Sequence, residues 1–234
     1  MTEYSSLPIL DDLTDLEREL IDAAHAGEVP TGSGLSVDDL AEDDDPAHEI
    51  RAQLVREMLL GQHGTFDPKG VRVRSVRVSG PLDLDNVSAR AGLSLISCVV
   101  NGEISAWHAN LPWLRLAHCR VGNVHADGAR LESGMWLDDL RIAGAGSAGA
   151  VRLPKARIGN RLDLSRTEIT NSTGAALFAP GLHVDGDLWL DETRFDAATR
   201  WAAVQLFQAR IDGVVSLRKA RIFNAAGTAF QLTN

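Results

Sequence analysis

The sequence has few aromatic residues, few cysteines and no long apolar run, and these shortages exclude several classes of protein. Two cysteines among 234 residues cannot build the disulfide framework of a small secreted domain. No apolar run reaches the roughly 18 residues of a membrane span. The first residues lack the basic start and apolar stretch of a secretory signal. We therefore expect a cytoplasmic protein with no membrane span.

The charge is distributed unevenly along the chain. Residues 1–69 contain seventeen acidic and four basic residues, which gives a net charge of -13, whereas residues 70–234 contain fifteen acidic and nineteen basic residues, which gives +4. The change near Gly70 predicts two parts, an acidic one over 1–69 and a basic one over 70–234. The excess of acid in the whole chain argues against nucleic-acid binding, which depends on clustered positive charge.

The acidic part is predicted to contain two helices. The first covers 14–26, because Thr14 and Glu17 have the spacing of a capping box. The second covers about 46–60, with Pro46 at its first position. We expect both helices to cover one end of the basic part, since terminal units of repeat proteins are atypical caps.

The segment between these helices contains the acidic run Glu42–Asp45 and has two interpretations. Its carboxylates could be solvated and complement the dipole of the following helix. Alternatively, the segment docks on a basic partner or on the basic part of this chain. Both interpretations stay open at this point.

From residue 71 onward, one apolar pattern recurs. In residues 156–170 it consists of Leu162, Leu164, the small Thr167 and the large Ile169. Because side chains alternate along a strand, we expect all four to point inward. The pattern returns every 10, 11, 15 or 16 residues. Two copies of it therefore make one coil, which has 20–22 residues before Ile142 and 26 or 27 after it. This period predicts a mainly β fold, a right-handed parallel β-helix solenoid of about six coils. The low aromatic content of 5% suits such a narrow core.

The small-then-large spacing in Ala156–Ile158, Ala209–Ile211 and Ala220–Ile222 resembles that of pentapeptide-repeat proteins. In that family the five-residue unit contains Ala, Asp or Asn, and Leu, and four units form one square coil. The resemblance implies a quadrilateral solenoid over 71–234, although Arg usually replaces the Asp or Asn here.

The segments 50–61, 156–170 and 181–195 are most similar to actinobacterial proteins that automatic labels call membrane-associated oxidoreductases. This resemblance implies a bacterial protein with a helical N-terminal part, a β-helix and, in longer members, an apolar C-terminal anchor. The glycine-rich 144–149 lies at a coil corner and not between a strand and a helix, so it is not a nucleotide fingerprint. We predict no cofactor.

We also predict no metal site. His108, His118 and His125 are close in sequence, but they occupy different coil positions and match no ligand spacing. Cys98 and Cys119 share one coil position a turn apart, which fits either two core thiols or a disulfide.

Four insertions account for the longer coils, at 143–150, 170–176, 196–203 and 223–229. They follow the same coil position, so stacking at about 4.8 Å per coil should align them as one ridge. Insertions on one face of a solenoid often mark the binding face. Three of the four are small and neutral, so tolerated corner decoration is the alternative. Trp201 offers the strongest contact chemistry on this ridge.

The outward residues between the small and large positions form two predicted arginine columns on opposite sides of the solenoid. One column contains Arg130, Arg157 and Arg210, and the other contains Arg120, Arg141, Arg194 and Arg221. Arginine favours bidentate contacts with carboxylates and phosphates, so the columns could bind an anionic partner. The alternative is a solvated lattice of weak ion pairs with neighbouring aspartates.

Trp136 and Trp189 share an outward position two coils apart. Exposed tryptophans are frequent in protein interfaces, whereas a structural role would have the N-terminal helices or a partner subunit cover them. Together with Trp201 and the arginine columns, these are the candidate partner-binding residues.

We expect a non-enzymatic scaffold that binds another protein. One alternative is a carbohydrate-active β-helix enzyme, for which Asp185–Asp187 and Asp191–Glu192 are the best carboxylate pairs. Another is a DNA mimic that binds topoisomerases, as the pentapeptide-repeat resemblance implies, with the acidic part as the mimic. An open strand edge at the last coil invites pairing, so three alternatives stay open: the chain is a fragment, further coils follow, or this end forms a homodimer.

Overall fold

The computed structural model describes residues 9–232. Parallel sheets form a β-solenoid of about seven turns, with a few helices at one end. This confirms the predicted fold class and adds about one turn to the expected six. Each turn has four faces, which we number in chain order.

Two of the faces are built from short, separate strands. Face 2 consists of strands Glu49–Arg51, Arg77–Ser79, Val99–Val100, Arg120–Val121, Arg141–Gly144, Glu168–Asn171, Arg194–Ala197 and Arg221–Asn224. Face 3 consists of strands Leu82–Asp83, Ile104–Ser105, Val124–His125, Val151–Arg152, Leu177–Phe178, Val204–Gln205 and Phe230–Gln231.

The other two faces share two long strands. Face 1 consists of strands Val71–Arg74, Leu93–Ile96, Arg161–Asp163, Asp187–Trp189 and Val215–Ser216. Face 4 consists of strands Arg157–Ile158, His183–Val184 and Arg210–Ile211. Strands Asn110–Ala117 and Arg130–Asp138 begin on face 4 and continue into face 1. Faces 2 and 4 lie on opposite sides of the solenoid.

The core is the inward half of the repeat. Leu162, Leu164, Thr167 and Ile169 are fully buried, as the pattern predicts. Thr167 satisfies its hydroxyl by donating to the carbonyl oxygen of Leu137, one turn earlier, over 2.5 Å. Burying the hydroxyl of Thr167 therefore costs the core little stability, because this polar atom is hydrogen-bonded.

The sharp corner between faces 1 and 2 uses left-handed backbone. Residues at this corner have φ between 48° and 58°, and they are Ser75, Ser97, His118, Asp139, Arg166, Glu192 and Lys219. Such a conformation costs a non-glycine residue about 1–2 kcal/mol. Stacked backbone bonds offset this cost, as where the Arg166 N–H donates to the Asp191 carbonyl over 2.8 Å.

Three α-helices lie in the N-terminal part: α1 (Asp15–Ala26), α2 (Val37–Glu42) and α3 (Ala52–Leu59). The predicted capping box of Thr14 and Glu17 is present at the start of α1. Leu20, Leu54 and Met58 join the same apolar core as the first turns. Helices α1 and α3 therefore cap this end of the solenoid.

The second predicted helix begins later than expected. Pro46–His48 forms a single 3-10 turn and Glu49–Arg51 forms a strand, so the predicted start at residue 46 is wrong. The strand pairs in parallel with Arg77–Ser79, the otherwise open edge of face 2. Pairing with this edge outweighs the local helix signal, and it carries the solenoid across the predicted boundary at Gly70.

A buried ion pair joins α1 to this edge strand. Glu17 is fully buried and accepts hydrogen bonds from Arg51 Nε at 2.9 Å and Nη2 at 2.5 Å. Burial alone would raise the pKa of Glu17, but the hydrogen bonds from Arg51 and Thr14 lower it overall. The cap is thus held by an ion pair between a buried carboxylate and the partly exposed Arg51, as well as by apolar contact.

Candidate functional site

The structure places both predicted arginine columns in register. On face 4 the neighbours in successive turns are Asn110, Arg130, Arg157, His183 and Arg210. On face 2 they are Val99, Arg120, Arg141, Glu168, Arg194 and Arg221. All seven arginines are exposed.

The seven arginines differ in their partners. Arg141 pairs with Asp38, Arg194 with Asp196 at 3.3 Å and Arg210 with Asp212 at 2.7 Å. The side chains of the other four form no ion pair or hydrogen bond within residues 9–232, and these residues are Arg120, Arg130, Arg157 and Arg221. The columns are therefore partly an ion-pair lattice and partly free positive charge.

The acidic segment docks on face 2. Helix α2 packs against Val99–Val100, and its Leu40 is fully buried. Ser33 anchors the approach, because its N–H and hydroxyl both donate to the carbonyl oxygen of Ser75, at 2.9 and 2.7 Å. With the ion pair between Asp38 and Arg141, this arrangement selects docking on the chain's own basic part over a purely solvated segment.

The four insertions stack as one ridge at the corner between faces 2 and 3, as predicted. Two asparagines hold it together. Asn171 donates to the carbonyl oxygens of Gly146 and Ala175, at 3.0 and 2.9 Å, and Asn224 donates to those of Trp201 and Thr228, at 2.7 and 2.8 Å. Each amide donates one hydrogen bond within its own insertion and one to the preceding insertion, so the ridge is a continuous hydrogen-bonded wall.

A groove of about 620 Å³ runs along face 3 beside this ridge. Its floor consists of outward side chains that are in register in successive turns, and they are Arg152, Phe178, Gln205 and Gln231. The ridge forms one wall, which includes Trp201. Phe207 and Gln208, at the corner leading to face 4, form the other.

Aromatic contacts fix the groove's shape. The rings of Phe178 and Phe207 meet edge to face with centroids 6.2 Å apart. The guanidinium of Arg152 lies 5.4 Å from the Phe178 ring and donates to Asp127 at 2.7 Å. Trp201 is 60% exposed, with Arg200 at 5.0 Å from its ring. The groove thus offers aromatic surface, and the charged side chain in its lining, Arg152, is already paired with Asp127.

Of the sequence-predicted residues, only Trp201 lines this groove. Sequence reasoning missed Arg152, Phe178, Gln205 and Phe207. A usable signal was present, because Phe178 and Phe207 are outward aromatic residues in a chain with six phenylalanines in total.

Trp136 and Trp189 lie on face 1 with Asp163 between them in register, as predicted. Both are half-buried. Trp189 is covered by the guanidinium of Arg161 at 4.2 Å, and its Nε1 donates to Asp187 at 3.3 Å. Trp189 is therefore engaged within its own face.

The predicted carboxylate pairs hold adjacent turns together. Asp187 accepts the Val214 N–H at 2.9 Å, which lowers its pKa. Asp191 accepts the Ser216 hydroxyl at 2.5 Å and Arg218 Nε at 2.8 Å, and the bond from Ser216 is the main cause of its lowered pKa. Neither carboxyl group is poised to give up a proton near neutral pH.

A different carboxyl group, that of Asp138, has the opposite property. Burial raises its pKa, and the charges of Asp163 and Asp139 add to this effect against Arg115, which lies 3.8 Å away. Its Oδ1 is buried without a hydrogen-bond partner. Asp138 is therefore the carboxyl group on face 1 whose surroundings favour the protonated form.

Cys98 and Cys119 are core thiols in this structure. Both are free and buried, and the Cys98 N–H donates to Cys119 Sγ at 3.4 Å. Burial raises the pKa of the Cys119 thiol well above its ordinary value. This favours the uncharged thiol and makes a nucleophilic role for it unfavourable.

No protein-family model, no curated protein and no solved structure matches the chain. Within residues 9–232, no helix is long and apolar enough to cross a membrane.

Proposed function

We propose that this protein is a non-enzymatic binding scaffold whose groove on face 3 holds an extended segment of another protein. The observation that carries the proposal is the combination of two aromatic rings, the exposed Trp201 and the half-buried Phe207, with the amide side chains of Gln208 and Gln231 in one concave site. Such a surface can bind apolar side chains and peptide groups together.

The chemistry of the lining favours binding over catalysis. The described residues that line the groove include no carboxylate, imidazole or thiol, and their one charged group, Arg152, is paired with Asp127. Hydrolysis and group transfer commonly need a positioned acid, base or nucleophile. Aromatic rings and amides instead suit recognition, where Trp, Tyr and Phe are enriched at the interface core.

The groove's rigidity supports the same function. Its floor belongs to a parallel sheet, and the amide of Gln205 is fixed by donating to the Ala202 carbonyl at 2.8 Å. A pre-formed site loses less conformational freedom on binding, which favours affinity. The unpaired Arg130 and Arg157 lie on the adjoining face 4, where they would attract acidic residues that flank the bound segment.

A peptide-display selection tests the proposal. A phage-displayed library of random peptides is selected on the purified chain, and enriched peptides are measured against Trp201→Ala, Phe207→Ala and the control Trp107→Ala. Trp107 is also exposed but lies outside the groove. We expect the two groove variants to weaken binding at least tenfold and the control to change it less than twofold. No enriched peptide, or equal binding by all variants, would overturn the proposal.

A second candidate function rests on Asp138. Its raised pKa suits a general acid, and the neighbouring Asp163 lies in register between Trp136 and Trp189, so a carbohydrate-active site on face 1 is the alternative. A reducing-sugar assay on a polysaccharide panel tests it. Asp138→Asn should abolish release, whereas the control Glu168→Gln, on face 2, should retain it. The absence of release by the unaltered chain would eliminate this alternative.

Other sequence predictions stay predictions: a bacterial cytoplasmic location, topoisomerase binding by the acidic part, and a homodimer through the last turn. That turn exposes apolar side chains, including Val215, Leu217 and Phe223. Light scattering of the purified chain, with and without Phe223→Ser, would measure the association directly.

A further inference from the structure

Face 4 carries a cluster of one imidazole and two carboxylates, apart from the groove. Asp185 follows strand His183–Val184, and Asp212 takes the same position one turn later, because Val184 pairs with Ile211. His183 Nε2 lies 3.2 Å from Asp185 Oδ1 and 3.5 Å from Asp212 Oδ2. One ligand atom from each of the three residues lies within 4.8 Å of the other two.

The imidazole nitrogen at the centre of this cluster is unpartnered. His183 Nε2 is closed to solvent but forms no hydrogen bond with either carboxylate. Buried polar atoms are nearly always hydrogen-bonded. A cation bound between the two carboxylates would give this nitrogen a partner.

Two of the three spacings between donor atoms match a metal site, and the third lies within 4.8 Å. Tetrahedral zinc binds imidazole nitrogen and carboxylate oxygen at about 2.0–2.2 Å, which places neighbouring donor atoms about 3.3–3.6 Å apart. The two distances from His183 Nε2, 3.2 and 3.5 Å, lie at this spacing. A catalytic or exchangeable site of this type has three protein ligands and leaves one position to water.

The backbone and Arg210 hold the ligands in place. The N–H groups of Asp185 and Asp212 both donate to the preceding turn at 2.9 Å. Arg210 Nε donates to Asp212 Oδ1 at 2.7 Å and Arg210 Nη2 donates to Oδ2 at 3.4 Å, and this Oδ2 lies 3.5 Å from His183 Nε2.

We propose that His183, Asp185 and Asp212 bind one divalent first-row transition metal ion, with zinc as the best match. One nitrogen and two oxygen donors suit zinc, cobalt or manganese and exclude a soft thiolate-type site. The positive charges of Arg157 and Arg210, which lie one turn before and one turn after His183, oppose binding of the ion. We therefore expect a dissociation constant in the micromolar range.

Metal titration of the chelator-treated chain tests this site. ZnCl2 binding is followed by calorimetry, and CoCl2 binding by its visible spectrum. The variants are His183→Gln and Asp212→Asn, and the control is His125→Gln, which removes an imidazole that faces one carboxylate, Glu103, at 3.7 Å. We expect one ion per chain, at least tenfold weaker binding in both variants, and less than a twofold change in the control.

Two results would overturn the proposal. The first is zinc binding by His183→Gln and Asp212→Asn that stays within twofold of the unaltered chain. The second is a Co²⁺ spectrum identical to that of the aqueous ion, together with nitrogen chemical shifts that show both ring nitrogens of His183 protonated. Circular dichroism of each variant establishes that it is folded, and if one variant unfolds, the other decides the question.

Discussion

The early and late turns of the solenoid share one core but differ on the outside. Before Ile142 the turns have no insertion, and the N-terminal segment covers part of them through α2, Leu40 and the ion pair of Asp38 with Arg141. After Ile142 each turn carries an insertion, and these turns form the groove and the cluster around His183. The first half is thus occupied by the chain itself.

The difference shows how a repeat protein separates stability from recognition. The inward positions cannot vary much, because each side chain is enclosed by the turns on either side. The corner between faces 2 and 3 can expand without disturbing them, since the insertion continues the face 2 strand, as at Ala143 and Gly144, before it turns. Recognition features can therefore accumulate in the later turns while the core stays constant.

Of the changes proposed here, replacing Arg51 should destabilise the early turns and their cap most. Arg51→Ala leaves the fully buried Glu17 without its partner, and loss of one member of a buried ion pair costs about 3–5 kcal/mol. Urea unfolding should show this loss, whereas the control Arg18→Ala, which removes an exposed pair with Asp15, should cost less than about 1 kcal/mol. An equal effect of the two variants would contradict the proposed role of the cap.

A methyl group added at Gly159 should destabilise the late turns nearly as much. A Cβ there would lie 1.8 Å from the carbonyl oxygen of Glu132, in the preceding turn, so the two turns would have to move apart. We expect Gly159→Ala to lower the free energy of unfolding by about 3 kcal/mol. Gly34→Ala meets no atom within 4 Å and should cost only the left-handed conformation, about 1 kcal/mol.

Acid should weaken the cap before it weakens the later turns. Because the folded-state pKa of Glu17 is lowered, its stabilising contribution is present above the unfolded pKa of about 4.3 and is lost progressively as the pH falls from there through the folded-state pKa. Hydrogen exchange measured in steps from pH 7 down to about pH 3 should show protection lost first in α1 and α3. Loss that begins in the turns after Ile142 would contradict this order.

The smallest effect is expected where the acidic segment meets face 2. The pair of Asp38 with Arg141 is exposed on both sides, so Asp38→Ala should change stability by less than about 1 kcal/mol. It should nevertheless speed hydrogen exchange in α2 more than the control Glu42→Ala. Equal exchange in both variants would show that burial of Leu40 alone holds α2 in place.

The strand repeat made much of the architecture predictable. Alternation in residues such as Leu162, Leu164 and Ile169 determined the core, and the same register placed Arg130 beside Arg157 and Trp136 two turns from Trp189. The strand Glu49–Arg51 was not predictable in this way. Its sequence carries helix-start signals, and only the open edge at Arg77–Ser79 makes a strand the better solution.

The groove and the metal cluster needed three-dimensional information. Periodicity predicts that the insertions stack, but not that they stand beside Phe178 and Phe207 as a wall. The cluster was partly accessible from sequence, because Asp185 and Asp212 occupy equivalent positions one turn apart. The separation of His183 Nε2 from both carboxylates depends on side-chain rotamers, which the repeat does not specify.

Hydrogen exchange with a selected peptide tests the central claim, that recognition resides in the groove of the later turns. A saturating peptide from the display selection should slow exchange in residues 145–152 and 198–208, which contribute the ridge and the floor. The peptide should leave hydrogen exchange unchanged in the strands that contain Arg120 and Arg130. Protection centred on those arginine columns, with none at 198–208, would contradict the claim and move the binding site to faces 2 and 4.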